Sequence, residues 1–392
     1  MIRRVDPLDR LTAATRERTA AGLRRTLRPR TPAREPLDLA SNDYLGLSRD
    51  PRLKDGAIEA VRTWGAGSTG SRLVTGTTEL HAALEDRLAA FTGMPSALVF
   101  SSGYLANLGA LTALRPGLIV SDQGNHASLI DGCRLARCPV AVTPHRDVAA
   151  VDAALEGVRD AVVVTDAVFS VDGDLAPLRE LHEVVRRRGA LLVIDEAHAL
   201  GVVGPGGRGA AYAAGLAGER DVILTVTLSK SLGSQGGAVL AAREVTETLI
   251  DTARSFVFDT GLAPASAGAA HAALDILEKE PALADRVRDR ARRLAAAADA
   301  LELRTTTPAA AVVPVVIGGP AEAVRAAEIC AEHGVRVGCF RPPSVPHGRA
   351  CLRLTARASL GEAELTMVTK ALTGVREQIG PYAACNAEAT RR

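Results

Sequence analysis

The stretch 221–237 constrains this chain most. Its β-branched run, 222–226, ends directly in Thr227-Leu228-Ser229-Lys230 and a loop rich in Gly and Ser. An unbroken apolar run of that length predicts a strand buried on both faces. Lys230 then falls where a core strand meets a loop, and strand ends are where open α/β sheets bind ligands. Lysine is scarce: Lys54, Lys230, Lys279 and Lys370 stand against a large excess of arginine. Arginine stays protonated, whereas a partly desolvated lysine can lose its proton and act as an amine nucleophile. A lysine snorkelling to solvent suits the same position. On this stretch alone the two readings stand level.

Composition narrows the classes. A chain of 392 residues can hold a large core and two lobes. Hydrophobic residues at 47% and charged residues at 23% suit a globular protein. A net charge of +2 gives no basic field, and 3% aromatics are too few for base-stacking platforms, so nucleic acid is not an expected partner. No apolar run reaches the length of a membrane span, so no membrane partner is expected. The cysteines Cys133, Cys138, Cys330, Cys339, Cys351 and Cys385 lack CxxC spacing and suit reduced thiols better than a disulfide frame or a zinc site. The N-terminus has no apolar signal core. Its Arg and Thr content is loosely like a transit peptide, but Asp6, Asp9 and Glu17 oppose that reading. A cytoplasmic location is the expectation.

The first residues read as an arm. Leu8, Leu11, Thr15, Thr19 and Leu23 share one helical face, Arg24-Arg25 close it, and Pro29, Pro32 and Pro36 break it. An arginine at a helix C-terminus by default only answers the dipole. A helix is expected over 51–64 and another over 78–91. Two GxGxxG matches, at 65–70 and 204–209, are rejected as dinucleotide fingerprints. The first has a helix ahead of it instead of a strand, and the second has a proline in its turn.

An α/β rhythm then begins, with strands at 97–100, 118–120, 140–143, 161–165 and 190–194 and helices at 105–114 and 178–188. Alternation of this kind implies a mostly parallel sheet covered on both sides. Ser101-Ser102-Gly103-Tyr104 joins a strand to a helix N-terminus, an arrangement that cradles phosphate because the first backbone N–H groups are free. Many such turns bind nothing. His126 either caps the next helix or faces the strand-end crevice. Beyond 237 a further strand is expected at 238–242 and a long helix at 282–300. A second lobe follows, with strands near 312–317, 336–339 and 351–354 and helices at 321–333 and 362–379. The expected organisation is an arm over 1–40, a large domain over 41–280 and a small C-terminal α/β domain over 281–392.

The strand at 190–194 is apolar until it reaches Asp195-Glu196-Ala197-His198. A carboxylate at the end of a core strand needs a partner. A metal is one candidate, but no second Asp/His cluster of similar quality supports it, and no metal site is assigned. A cationic heterocycle is the other. The pyridine nitrogen of pyridoxal 5′-phosphate takes an anion and its aldehyde takes a lysine. The chain offers both.

At this point the sequence resembles the α-oxoamine synthases, pyridoxal-phosphate enzymes of the fold-type-I aminotransferase-like class, over nearly its whole length. The resemblance rests on Ser41-Asn42-Asp43-Tyr44-Leu45-Gly46-Leu47, Ser102-Gly103-Tyr104, Asn125-His126-Ala127-Ser128, Val168-Phe169-Ser170-Val171-Asp172-Gly173-Asp174, Asp195-Glu196-Ala197-His198 and Thr227-Leu228-Ser229-Lys230. It implies that Lys230 carries the cofactor, Asp195 keeps its ring nitrogen protonated, His198 bonds its phenolic oxygen and His126 stacks on its ring. Ser170 falls at another cofactor contact. Gly103, Tyr104 and Thr227 match the phosphate site, and Thr260 matches a hydroxyl reaching the phosphate of a neighbouring subunit, which implies a homodimer. Arg24, Asn42, Ser344 and Arg353 match positions near substrate. Many relatives have Glu where this chain has Asp166, and Gly or Ser where it has Ala199.

The implied reaction is decarboxylative condensation of an amino acid with an acyl thioester. The loop Arg341-Pro342-Pro343-Ser344-Val345-Pro346, with Leu352-Arg353-Leu354-Thr355, resembles most the members that join L-alanine to a pimeloyl thioester, carried by coenzyme A or an acyl carrier protein. Glycine with acetyl-CoA is the main rival. An aminotransferase and a non-catalytic scaffold on the same fold are the other readings, and retention of Lys230, Asp195 and both histidines argues against the scaffold.

Overall fold

The strands sort into two sheets. The computed structural model describes residues 6–27, 29–31 and 36–380, so Pro32 and Cys385 lie outside the described residues. The strands are β1 (Leu37–Leu39), β2 (Ser96–Phe100), β3 (Leu118–Asp122), β4 (Val140–Thr143), β5 (Ala161–Asp166), β6 (Leu191–Asp195), β7 (Val222–Thr227), β8 (Gly237–Ala241), β9 (Val312–Gly318), β10 (Val335–Phe340) and β11 (Ala350–Thr355). The larger sheet has the order β2-β8-β7-β6-β5-β3-β4 and the smaller β1-β10-β11-β9. In the larger sheet only β8 runs against its neighbours, β2 and β7. The others pair in parallel, as the apolar runs predict.

Strands β5 and β7 are buried at every residue. Successive side chains point to opposite faces, so each strand serves two cores. Leu192, Ile194, Leu224 and Val226 pack into one apolar cluster, and Val193, Ile223, Val162 and Val164 into the other. Neither face is left for polar alternation, which is why the sequence reads as continuous Val, Ile and Leu.

Register then sets the site. Asp166 of β5 lies opposite Asp195 of β6, and Asp195 opposite Thr225 of β7. The carboxyl ends of β5, β6 and β7 therefore open at one level, and Lys230 follows three residues after the end of β7.

Some elements depart from the sequence reading. The helix after β2 starts at Gly103, two residues early, because Ser102 caps it by accepting from the Leu105 N–H at 3.1 Å. A helix over Pro264–Lys279 was assigned to nothing. Its Ala/Gly-rich sequence has weak hydrophobic contrast, but small residues let it approach the helix Pro51–Trp64 closely at Gly56 and Gly268. The arm helix forms over Asp9–Ala20, yet no residue in it is buried. Among the described residues no helix is long and apolar enough to cross a membrane.

Candidate active site

Asp195 closes β6 in the interior. Its Oδ1 accepts from the Ala197 N–H at 2.8 Å and its Oδ2 from the Asn107 side-chain amide at 2.7 Å. Among the described residues no ion pair engages this carboxylate. Asn107 sits one helical turn beyond Gly103 and also donates to Ser128 Oγ at 2.8 Å. The sequence reading missed it. Its signal was a lone amide in the otherwise apolar helix Gly103–Leu114. Next to Asp195, Asp166 accepts from the His126 N–H at 2.9 Å. Burial, and then the facing Asp195, push Asp166 well above the usual carboxylate range.

His198 follows β6 by three residues. Its Nε2 lies 2.9 Å from Lys230 Nζ and its Nδ1 2.5 Å from the Tyr44 hydroxyl. Burial, Lys230, Arg353 and His126 together hold His198 well below the ordinary histidine range, so the ring is neutral at neutral pH. Lys230 is pulled down to about 8, first by burial, with Arg353 acting in the same sense and Asp195 and Asp166 against it. Tyr44, a second residue given no role from sequence, is fully buried and also donates to Asn42 Oδ1 at 3.2 Å.

Arg353 is buried on β11. Its Nε donates to the Ser170 carbonyl at 2.6 Å and its Nη1 to Asn42 Oδ1 at 3.0 Å. Its Nη2 is buried with no hydrogen-bond partner among the described residues. A buried guanidinium edge of that kind fits a carboxylate. His126 bonds Ser128 Oγ through Nδ1 at 2.7 Å, and burial draws its basicity down.

The turn expected to cradle phosphate is tightly built. A Cβ on Gly103 would lie 3.0 Å from Thr227 Cβ, and one on Gly237 would lie 2.5 Å from Gly103 Cα. With Ser102 occupied by Leu105, the N–H groups of Gly103 and Tyr104 have no intrahelical acceptor. Thr227 Oγ1 donates to the Gly236 carbonyl at 3.2 Å.

Hydrogen bonds thus join Lys230, His198, Asn42, Arg353 and Ser170 in one network and Asp195 and His126 in a second, and the charges of Asp195 and Lys230 act between them; Gly103 packs on Thr227, just ahead of Lys230. The side chains of three other sequence candidates make no hydrogen bond to either network among the described residues. Tyr104 is exposed and donates to Asp131, Thr260 is exposed, and Arg24 is exposed while its neighbour Arg25 reaches Ser344 Oγ at 3.4 Å. A cavity of about 640 Å³ opens beside the group; Ser170 and Ser344 line it, whereas Lys230, Asp195 and His198 do not.

These residues fit pyridoxal phosphate. A buried carboxylate without an ion pair suits a cationic ring, an amine drawn down to about 8 suits an aldehyde, and a helix N-terminus kept clear of Cβ atoms suits a phosphate.

Comparison with known proteins agrees. The family described as Aminotransferase class I and II matches residues 34–372. An 8-amino-7-oxononanoate synthase of Mycolicibacterium vanbaalenii is 60% identical over 375 residues, which cover 95% of this chain and 98% of that one. A serine palmitoyltransferase from S. paucimobilis, solved with bound pyridoxal phosphate and myriocin, superposes with a TM-score of 0.88 at 28% identity, covering 96% of this chain and all of the other. An 8-amino-7-oxononanoate synthase structure from Francisella tularensis gives a TM-score of 0.76 at 26% identity, over 88% of this chain and 98% of that one. The chain belongs to the class I and II aminotransferase family and, within it, to the family of 8-amino-7-oxononanoate synthases.

Proposed function

We propose that this chain condenses L-alanine with a pimeloyl thioester, with loss of CO2 and release of free thiol, to give 8-amino-7-oxononanoate. The observation that carries the reading is the contact of Lys230 with His198 beside the free edge of Arg353, in a chain 60% identical to synthases of that name. The product places the chain in biotin biosynthesis.

Bound pyridoxal phosphate supplies the electron sink for charge developing at the amino acid's α-carbon. Lys230, Asp195, His198, His126, Ser170, Thr227 and the backbone of Gly103 and Tyr104 would hold it. Asp195 supplies the negative charge against the ring nitrogen. Lys230 Nζ, its basicity drawn down by burial, takes the α-proton and later returns it. His198, neutral and held between Tyr44 and Lys230, keeps that amine in place. Arg353, with Asn42, grips the substrate carboxylate through Nη2. Ser344 and Arg24 lie on the substrate side of the same proposal.

Assembly as a homodimer belongs to the proposal too. Leu8 and Leu11 of the arm are 60% and 52% exposed, and Phe258, near Thr260, is 70% exposed. These surfaces support pairing with a second copy, to whose cofactor Thr260 would reach. The division into an arm (1–40), a large domain (41–280) and a small domain (281–392) and a cytoplasmic location complete the reading.

The test is product accounting. With pyridoxal phosphate, L-alanine and a pimeloyl thioester, thiol and CO2 should appear in equal amounts. Formation of a keto acid without thiol release would make the chain an aminotransferase instead.

A further inference from the structure

Two arginines of one strand end clasp the same turn. Arg353 donates from Nε to the Ser170 carbonyl at 2.6 Å, and Arg349, just ahead of β11, pairs through Nη2 with Asp172 Oδ1 at 2.9 Å. The wall of the 640 Å³ cavity includes Ser170, Asp172, Cys351 and Arg349. Phe169, Val316 and Val345 line it, together with the polar side chains of Gln123, Asn125 and Ser344. Such apolar stretches of wall accept a polymethylene chain.

His145, His347, Asp172 and Arg349 are the lining residues that can carry charge. His145 also lines the cavity, but its two nitrogens are held by Asp122 at 3.0 Å and Asp174 at 2.9 Å, so its charge is already matched. Arg349 differs. Its side chain is 47% exposed, and among the described residues only Nη2 is engaged, which leaves Nη1 and Nε for a ligand. Asp172 fixes one edge of the planar fork and so orients the other. The pairing of β11 with β9 shifts between Ala350 and Cys351, next to Arg349, and an irregularity of this kind re-aims the side chains at a strand end. Arg353 and Arg349 reach the turn at Ser170 and Asp172, so the two guanidinium groups flank one segment of the wall.

We propose that Arg349 determines specificity for the acyl donor: its free guanidinium edge binds the distal carboxylate of a dicarboxylic acyl thioester whose methylene chain lies in the cavity. The assignment rests on the condensation proposed above. It makes the site selective for a charged chain end, because a donor lacking the carboxylate gains nothing from Arg349.

The experiment compares pimeloyl and heptanoyl thioesters, equal in length and differing in the terminal carboxylate, with L-alanine and saturating pyridoxal phosphate. Arg349→Gln should lower kcat/KM for the pimeloyl donor by about tenfold to a hundredfold, mostly through KM, the usual scale for losing a charge-assisted contact. The heptanoyl donor should change by less than about twofold, and its turnover also reports that the variant is folded. Arg349→Lys should recover part of the loss. An equal fall for both donors, or no fall for pimeloyl, overturns the role of Arg349 while the condensation stands. Failure of the unsubstituted enzyme to release thiol from the pimeloyl donor overturns both.

Discussion

Lys230 Nζ and His198 Nε2 stand 2.9 Å apart in the interior, and both bases are held less basic than in water. Burial is the first cause for each, and each cation would disfavour the other. A neutral histidine beside a lysine of about 8 leaves a usable fraction of free amine near neutral pH, which a solvent-exposed lysine lacks.

The pH dependence of cofactor capture follows. Only the deprotonated amine attacks an aldehyde. Cofactor-free protein should take up pyridoxal phosphate at a rate that rises with pH around a midpoint near 8. A midpoint near the ordinary 10.5 would show that Lys230 is not buried as described. Borohydride reduction and peptide mapping should place the label on Lys230, with none on Lys54, Lys279 or Lys370.

Asp195→Asn should abolish most turnover and keep the fold. The new amide can pair with Asn107 Oδ1, which has no partner among the described residues, but it carries no charge for the ring nitrogen. Loss of one preorganised electrostatic partner predicts a fall in kcat of at least about a hundredfold. Steady-state rates alongside melting of the cofactor-free variant separate the two effects. A variant that keeps near-normal kcat would remove Asp195 from the mechanism.

His145 gives a stability signature. Its hydrogen bonds to Asp122 and Asp174 raise it to about 9 in the folded chain, above the ordinary 6.5. A group raised on folding stabilises fully below its unfolded value, and the contribution disappears as pH rises through the folded value. The melting temperature of the protein relative to His145→Asn should therefore be highest near pH 6 and shrink between about 6.5 and 9. A constant difference across that window would contradict the pairing.

Gly56→Val tests the close helix pair. A Cβ at Gly56 would lie 2.9 Å from both Ala272 Cβ and the Gly268 carbonyl oxygen. The helices must separate, at a cost of about 1–3 kcal/mol. Denaturant melting should show the loss, and an unchanged midpoint would place the helices further apart.

Legibility in the sequence followed physical contrast. Strands β5, β6 and β7 were readable because burial on both faces leaves an unbroken apolar run, and Asp195 and Lys230 stood out where those runs stop. Asn107 and Tyr44 were not given roles, because their importance lies in contacts with Asp195 and His198, distant in sequence. The helix Pro264–Lys279 escaped because an Ala-rich segment lacks a marked apolar stripe, and its packing depends on Gly56 in another helix. The exposed arm helix shows the converse: an apolar face was legible, but no residue of that helix is buried in the single chain.

The central claim is the substrate pair, and the most direct measurement is the specificity constant for two pairs on one enzyme preparation. L-alanine with a pimeloyl thioester is set against glycine with acetyl-CoA, and thiol release is followed in both. The amino acids differ by one methyl, which a pocket discriminates by about 1–3 kcal/mol, so slow turnover of glycine is compatible with the account. Alanine with the pimeloyl donor should give the higher kcat/KM. A higher value for glycine with acetyl-CoA would contradict it.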